Sequence, residues 1–562
     1  MDITAEQVIK TQERLEQKRK DYEQLKTLCV QFAYPHRSDC WDLFGLDLGK
    51  VHTKTRKIYD PTAIAALEIR QNGILGQYMP RGINWFQETM ADPRLKEDKT
   101  LRKWLQDNDD HLRYVLDSSG TGDGNGYYDQ KSIMLGDGMA IGDAGMFIEE
   151  DRETGKQMFM CPHPRTLWFM RDFWGRIIGI HYKFKKTLKQ VKDEFGEKAL
   201  DDSQNAKVKN SPDEEIECLY AIYKNEDYDP RKIGVMSMRW RYVYINTDKK
   251  KIMESSGTDT LNPVCWSNKR PSHWDYGMGD VAAVLVEIIT ANFQSKDMLN
   301  ASQQAVSPAM LMAKSLKNKL DLRPSAVNFI ENKANTAMRM GDLFARLIDP
   351  SGYPFGVENH QRWQDMINRR FCVPLFMAMN SNQGPERTAF EVSRMEGEQI
   401  VLMAPFLATL GNTTDLELDR IYAIEVETRR APPIPDQILE AGNGRIDTQF
   451  IGPLMQKLKQ YYDYGSLATT ISAMQAVASM YPYSLVVGDG DTLMRKVMRS
   501  VNTDEEIILD KDEVQEIRAI AAQQQEAQQM AQMMADTSKV VPNLSKKVEA
   551  DSVLGEMTKG AA

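Results

Sequence analysis

Cysteine is scarce in this 562-residue chain and scattered along it: Cys29, Cys40, Cys161, Cys218, Cys265 and Cys372. No two stand at C-x-x-C spacing, so neither a zinc ribbon nor a disulfide framework is expected. Reduced thiols in a protein made in a cytoplasm fit better. Histidine is sparse too, and the seven residues show no H-E-x-x-H or triad-like grouping. No stretch reads G-x-x-x-x-G-K-[ST], which removes the usual phosphate loop of a nucleotide-driven enzyme. Long apolar runs are missing. The most apolar one, "VAAVLVEIITANF", contains Glu287 and is too short to cross a bilayer, so no membrane partner is expected. The opening "MDITAEQVIK" is acidic and polar, unlike a secretory signal. An excess of positive charge is also missing: the net charge of −9 argues against a simple basic nucleic-acid binder.

What is present is ordinary for a folded soluble protein, with 42% hydrophobic and 27% charged residues. The length is too great for one core, so two to four structural regions are expected. No fixed-period repeat is visible. Residues 4 to about 30 read as an amphipathic helix. In "YDPTAIAALEIRQNGILGQYM" Asp60 is placed to cap a helix and Pro61 to open it. "NWFQETM" reads as a short strand or an edge of packed aromatics, and "DKTLRKWLQDNDDHLRYVL" as a further helix. From about residue 140 the period changes to two. "GMFIEEDRETGKQMFMCPHP" and "TLWFMRDFWGRIIGIHYKF" each read as strand, turn, strand. "EEIECLYAIYKN" and "MRWRYVYINTDKKKIMES" add three strands, and "TLKQVKDEFG" is a helix between them. This region predicts an antiparallel sheet within an α+β, mainly helical chain.

Two long helices follow, "DYGMGDVAAVLVEIITANFQSKDMLNASQQAV" and "QRWQDMINRRFCVPLFMAMN", with Pro374 expected to kink the second. Val281, Val284, Leu285 and Ile288 give the first helix apolar residues on more than one face, which asks for cover from a neighbouring subunit. Between the two, "LRPSAVNFIENK" holds a plausible strand. After the second comes "NSNQGPER", which has no large apolar side chain, and then a helical restart at "TAFEV" with a T-x-x-E capping box, Thr388 and Glu391. Asn380, Ser381, Asn382, Gln383, Gly384, Pro385, Glu386 and Arg387 therefore read as an exposed loop between helices. Pro405 interrupts the long helix that follows, and a Gln/Ala/Met-rich helix and a polar, disorder-prone tail close the chain.

Candidate chemistry is thin. "SSGTGDGNGYYDQ" (Ser118–Gln130) is glycine-rich but follows a helix, so a flexible connection is the better reading than a dinucleotide loop. "DGDTLMRK" lacks the glutamate that a calcium loop needs, since Ser500 takes that place. "CPHP" sets Cys161 beside His163 without a second ligand pair, and reads as a turn. No catalytic, cofactor-binding or metal residue is assigned. Lys314, Lys317, Lys319 and Arg323 make a local basic segment, either a solvated helix face or a contact for DNA or an acidic partner.

Five stretches in register resemble portal proteins (head-to-tail connectors) of short-tailed bacteriophages, over about residues 20 to 520. They are "YDPTAIAALEIRQNGILGQYMPRGINWF", "WDYGMGDVAAVLVEIITANFQSKDMLNASQQAVSPAMLM", "LRPSAVNF", "ERTAFEV" and "EGEQIVLMAPFLATL". The resemblance implies a ring, usually dodecameric, around a DNA channel, with an α/β wing, a two-helix stem, a small clip and a helical crown. On that pattern the wing is 1–275, the first stem helix 276–306, the clip 307–355 and the second stem helix 356–379. The channel loop is 380–387, a kinked wing helix 388–435, the crown 436–535 and the polar tail 536–562. The basic segment falls in the clip, and the loop faces the channel.

Double-stranded DNA, the terminase large subunit, major capsid and scaffolding proteins and a tail adaptor are the implied partners, with assembly in the host cytoplasm and a place at one capsid vertex. Twelve copies would carry on the order of −108 formal charge, which repels phosphate and favours passage over grip. The competing expectations are a DNA-packaging enzyme, terminase or nuclease, or another ring or tail protein of the virion.

Overall fold

The computed structural model describes residues 4–37, 58–91, 99–306 apart from 121, 152 and 233, then 310–312, 344–346, 353–380, 389–435, 446–459, 514–515 and 517–519. The chain divides into two compact units, Met1–Leu458 and Lys459–Ala562. Nearly all described residues belong to the first.

The first unit opens with helix α1, Ala5–Ala33, whose Thr4 and Gln7 form a capping box. Helix α2 is Thr62–Tyr78. Asp60 starts it as its sequence suggests, accepting from the amide and hydroxyl of Thr62 at 3.0 and 2.6 Å. Strand β1, Phe86–Met90, and helices α3, Lys99–Asp117, and α4, Tyr127–Ala140, follow. The strands come next: β2 Asp143–Glu150, β3 Gln157–Met160, β4 Leu167–Arg171 and β5 Ile177–Thr187. Two short helices, α5 Leu188–Phe195 and α6 Asp202–Val208, precede β6 Glu215–Lys224, β7 Trp240–Asn246, β8 Lys251–Thr258 and β9 Val264–Ser267. A 3-10 turn at Val281–Val284 leads into α7, Leu285–Val306. The strands β10 Met310–Met312 and β11 Phe344–Arg346 precede α8, Tyr353–Arg370, and α9, Val373–Asn380. Helix α10, Ala389–Glu427, and strand β12, Ile446–Phe450, follow, and the chain is helical again over 453–459.

The fold is mixed helix and sheet, as the change of period near residue 140 predicts. The sequence suggests one antiparallel sheet, whereas the structure has two larger ones. Strands β4 to β8 pair in sequence order, all antiparallel, because each is joined to the next by a short turn or a helical excursion. Strand β2 instead lies between β3 and β9, pairing Asp143 with Ser267 although 124 residues separate them. Strand β1 pairs with β12 from far along the chain, Phe86 opposite Phe450. Ile451 donates its amide to the Trp85 carbonyl at 2.8 Å. The region expected as a helical crown from 436 thus begins, in its described residues, with a strand on the N-terminal unit; 436–445 and nearly all of 460–535 lie outside the described residues.

The main core is helical. It gathers Val30, Leu67, Ile74, Met134, Ile148, Trp266, Ile288, Phe371, Leu410 and Ile421 from both ends of the first unit. A second core, with Phe169, Ile180, Ile216 and Ile222, lies on one face of the five-stranded sheet.

Candidate channel and assembly elements

Helices α7 and α8 pack side by side, joined through the β10–β11 ribbon, in which Met310 faces Arg346. That pairing brings the two ends of the 313–343 segment together. Lys314, Lys317, Lys319, Arg323 and the expected strand after Pro324 lie in this segment, outside the described residues. The base of the helix pair is clasped by the residues before α2. Asn292 Oδ1 accepts from the amides of Tyr59 and Asp60 at 2.7 and 3.2 Å. Gln364 Nε2 reaches Asp60 Oδ1 at 3.4 Å, and Gln294 Nε2 donates to the Gly356 carbonyl at 2.9 Å. Asp60 therefore ties three helices together, its carboxylate meeting α2 and α8 and its backbone amide meeting α7.

Two sequence readings change here. Val281, Val284, Leu285 and Ile288 are all buried by the chain's own core, so they need no neighbour. The apolar side chains left uncovered on α7 are others, Leu299 further along and, nearer the start, Val286 at 74% and Phe293 at 56% exposure. Val286 and Phe293 stand seven residues apart, two helical turns, and so share one face. The second correction concerns Pro374. The chain does not kink there inside one helix. It breaks before it, at Phe371 and Cys372, where Cys372 takes φ +56°. Pro374 then falls in the first turn of α9, where its missing N–H leaves no bond unmade.

Helix α9 is fixed to α2 by one close approach. A Cβ on Gly73 would lie 2.3 Å from Cδ1 of Phe376, so only glycine lets that ring settle. Leu375 and Phe376 are buried, while Met377 is exposed. Asn380 is the last residue of α9, and its side chain is outside the described set, as are Ser381, Asn382, Gln383, Gly384, Pro385, Glu386, Arg387 and Thr388. The chain is helical again from Ala389, the residue after Thr388; the side chain of Glu391 is not described. Pro405 sits inside α10, which runs through it as one helix.

Beyond the loop, α10 is bolted to α4. Lys131 Nζ lies 2.7 and 2.6 Å from the two Glu417 carboxylate oxygens, and Tyr127 donates its hydroxyl to Glu417 at 3.0 Å. All three side chains are fully buried, and burial lowers the Lys131 pKa despite the attraction of Glu417. Further along, Glu425 receives Gln157 Nε2 at 2.8 Å and Arg430 Nη2 at 2.9 Å. The helix is thus held at two points by charge-assisted bonds.

The "CPHP" turn holds no ligand cluster. Cys161 Sγ is 3.8 Å from Asp137 Oδ2, while His163 meets the Arg37 carbonyl at 3.0 Å through Nε2. Burial pushes the Cys161 thiol well up and the His163 imidazole down to about 3, so both are neutral packing groups. No group of three potential metal ligands occurs among the described residues.

These features describe a helical framework with exposed apolar side chains on α7 and with α9 and α10 each fixed to the N-terminal helices. The chain belongs to the bacteriophage head-to-tail connecting protein family, whose pattern matches residues 5–509. It is 22% identical over 515 residues to a probable portal protein of Bordetella phage BPP-1, 88% of each chain. It is also 22% identical over 519 residues to the portal protein of Salmonella phage epsilon15, 90% of this chain and 89% of that one. Its function is that of a viral portal protein, a component of the virion. A chain from the virion of a native gene transfer agent particle matches 69% of this chain and 88% of its own at 10% identity. The TM-score is 0.32, too low to carry an argument.

Proposed function

We propose that copies of this chain close into a ring, dodecameric in the family pattern, around a channel for double-stranded DNA at one capsid vertex. The observation that carries the ring is the exposed face of α7. Val286 and Phe293 stand in water on one face of α7, beside a face that the chain's own core already covers, and large apolar side chains exposed together on one helix face support a contact with another protein. In this reading α7 with α8 and α9 form the stem, and 307–355 the clip. Residues 1–275 and 388–435 form the wing, and 436–535 the crown. Asn380 to Arg387 line the channel. Their amides and hydroxyl make transient, water-mediated contacts, and Glu386 beside Arg387 nearly cancels charge.

The chain does no bond chemistry of its own. It seeds the capsid with the major capsid and scaffolding proteins, presents the clip, with Lys314, Lys317, Lys319 and Arg323, to the terminase large subunit, and later joins the tail adaptor. Assembly takes place in the host cytoplasm. Electron microscopy of the purified protein tests this: rings with a central hole are expected. Monomers with ATP- or metal-dependent nuclease activity, lost on changing one of their carboxylates, would favour the packaging-enzyme reading instead.

A further inference from the structure

The β4–β5 hairpin ends in "RDFWGR", and its tip holds Phe173 at 93% exposure and Trp174 at 77%. Two bare aromatic rings at a turn are unusual, because aromatic side chains supply large apolar area wherever they are covered. The turn beneath them is rigid. Gly175 donates to the Asp172 carbonyl at 2.9 Å, and Asp172 donates its own amide to the Arg176 carbonyl at 2.9 Å. Asp172 Oδ2 also receives Arg176 Nε at 2.8 Å. Arg171 ties the hairpin down by donating to the carbonyls of Asp275 and Gly175 at 2.7 and 3.0 Å. The tip is held in one shape before any partner arrives, which lowers the entropic cost of docking.

A receptor for such a tip exists on the same molecule. A cleft of about 1120 Å³ opens between the two larger sheets. Phe147, Phe159, Tyr182, Phe184 and Tyr244 supply its aromatic lining, and the exposed Met160 stands at its edge. One lip is the glycine-rich stretch at Asp123, Gly124 and Asn125, fixed where Phe159 donates its amide to the Asn125 carbonyl at 3.0 Å. The lining holds Asp123, Glu149, Glu194 and Glu215 against Lys185 and Lys186, so its charge is net negative. The tip carries Arg176, and Arg270 lies against Gly175. The cleft is as large as pockets that take whole ligands, roughly 300–1,000 Å³.

The tip is out of reach of its own cleft. Ile177, just past the turn, and Tyr182, the cleft residue of this strand nearest the turn, are five residues apart on one extended strand, roughly 17 Å by strand rise. We infer that Phe173 and Trp174 of one copy insert into the aromatic cleft of the next copy. Tip and cleft are different surfaces, so the contact is head-to-tail, the kind that propagates and is satisfied everywhere only when a ring closes. This contact deepens the proposed ring and rests on it.

The test is site-directed cross-linking of the full chain. Cys40, Cys265 and Cys372 are first replaced by serine, so that the remaining native thiols are buried; Trp174→Cys and Met160→Cys are then combined and treated with a short bis-maleimide. Purified rings are expected to give a ladder of covalent dimers, trimers and higher species, and either single cysteine variant alone should give none. Intact rings without a ladder overturn this contact and leave the portal function standing. Cross-links from Trp174→Cys to a different virion protein only, in assembled particles, also overturn it. Absence of rings from the unmodified chain removes both the ring and the contact. Should the double variant misfold, Phe173→Ala/Trp174→Ala changes only exposed side chains. Its rings should dissociate at about tenfold higher protein concentration or more, and unchanged dissociation overturns the contact.

Discussion

The buried pair of Lys131 and Glu417 is the sharpest residue-scale constraint on how α10 is placed. Neither ion meets water, so each depends on the other. Glu417→Gln leaves an ammonium without its counter-charge, a change that costs about 3–5 kcal/mol. A clear fall in thermal midpoint is expected, with part of it recovered in Lys131→Met/Glu417→Leu. If the single change left the midpoint where it was, the pair would not hold the helix. Asp109 makes a prediction of the opposite kind. Burial first, and then the charge of Glu88, raise its pKa to about 8, although the Glu88 amide donates to its carboxylate at 3.0 and 3.2 Å. In the unfolded chain it titrates near the ordinary carboxylate value of ~4. Between those two values the folded state holds a proton that the unfolded state has lost, so stability declines as pH rises from about 4 to about 8. Asp109→Asn should flatten that slope in urea titrations at stepped pH; an unchanged slope would locate its origin elsewhere. Single residues differ in how far a sequence reveals them. Asp60 is legible because its partner is two residues away. Lys131 is not, since its partner lies 286 residues on.

Elements were most legible where their period is strict. The strands from Asp143 to Thr258 alternate or run apolar between turn residues, and the turns "ETGK" and "DFWGR" mark where the chain reverses. Pairings between distant segments were not legible: nothing local to Phe86–Met90 says that Ile446–Phe450 will lie beside it. The break before Pro374 is a subtler case. A proline inside an apolar run reads as a kink, yet the same residue is comfortable in a first turn, and only the left-handed Cys372 decides between them. Composition makes the stretch from Asn380 to Arg387 read as an exposed loop, and its facing the channel rests on family resemblance; both expectations lie outside the described residues. Two changes separate its roles. Gly73→Ala drives a methyl into the Phe376 ring and should loosen α9, at roughly 1–3 kcal/mol for overpacking. Phe376→Leu should relieve it, read as a recovered thermal midpoint. Shortening the loop itself should leave ring formation intact, because exposed polar loops contribute little to stability, but lower the DNA retained per particle. If Thr388 caps α10 as its T-x-x-E pattern leads one to expect, Thr388→Ala should also cost about 0.5–2 kcal/mol of stability. Loss of rings on loop shortening, with normal DNA content in any that survive, would make the loop an assembly contact.

At the scale of the whole molecule, the fold gives each subunit a covered side and an uncovered one. The chain's own core absorbs the apolar residues at the start of α7, and others, Val286 and Phe293 among them, point to water. Composition shows no nucleotide, zinc or membrane-span pattern, and the expectation of a ring comes from family resemblance alone. The residues proposed to meet a neighbour emerge only when burial is known, because the sequence shows apolar residues around the helix without saying which ones the chain buries itself. Native mass measurement of the purified chain beside Val286→Asp/Phe293→Asp tests the central claim most directly. The unmodified chain should appear as one closed species of about twelve copies, and the variant as a folded monomer with unchanged helix content. A stable monomer of the unmodified chain at micromolar concentration, or a variant that keeps the full ring mass, would contradict the account.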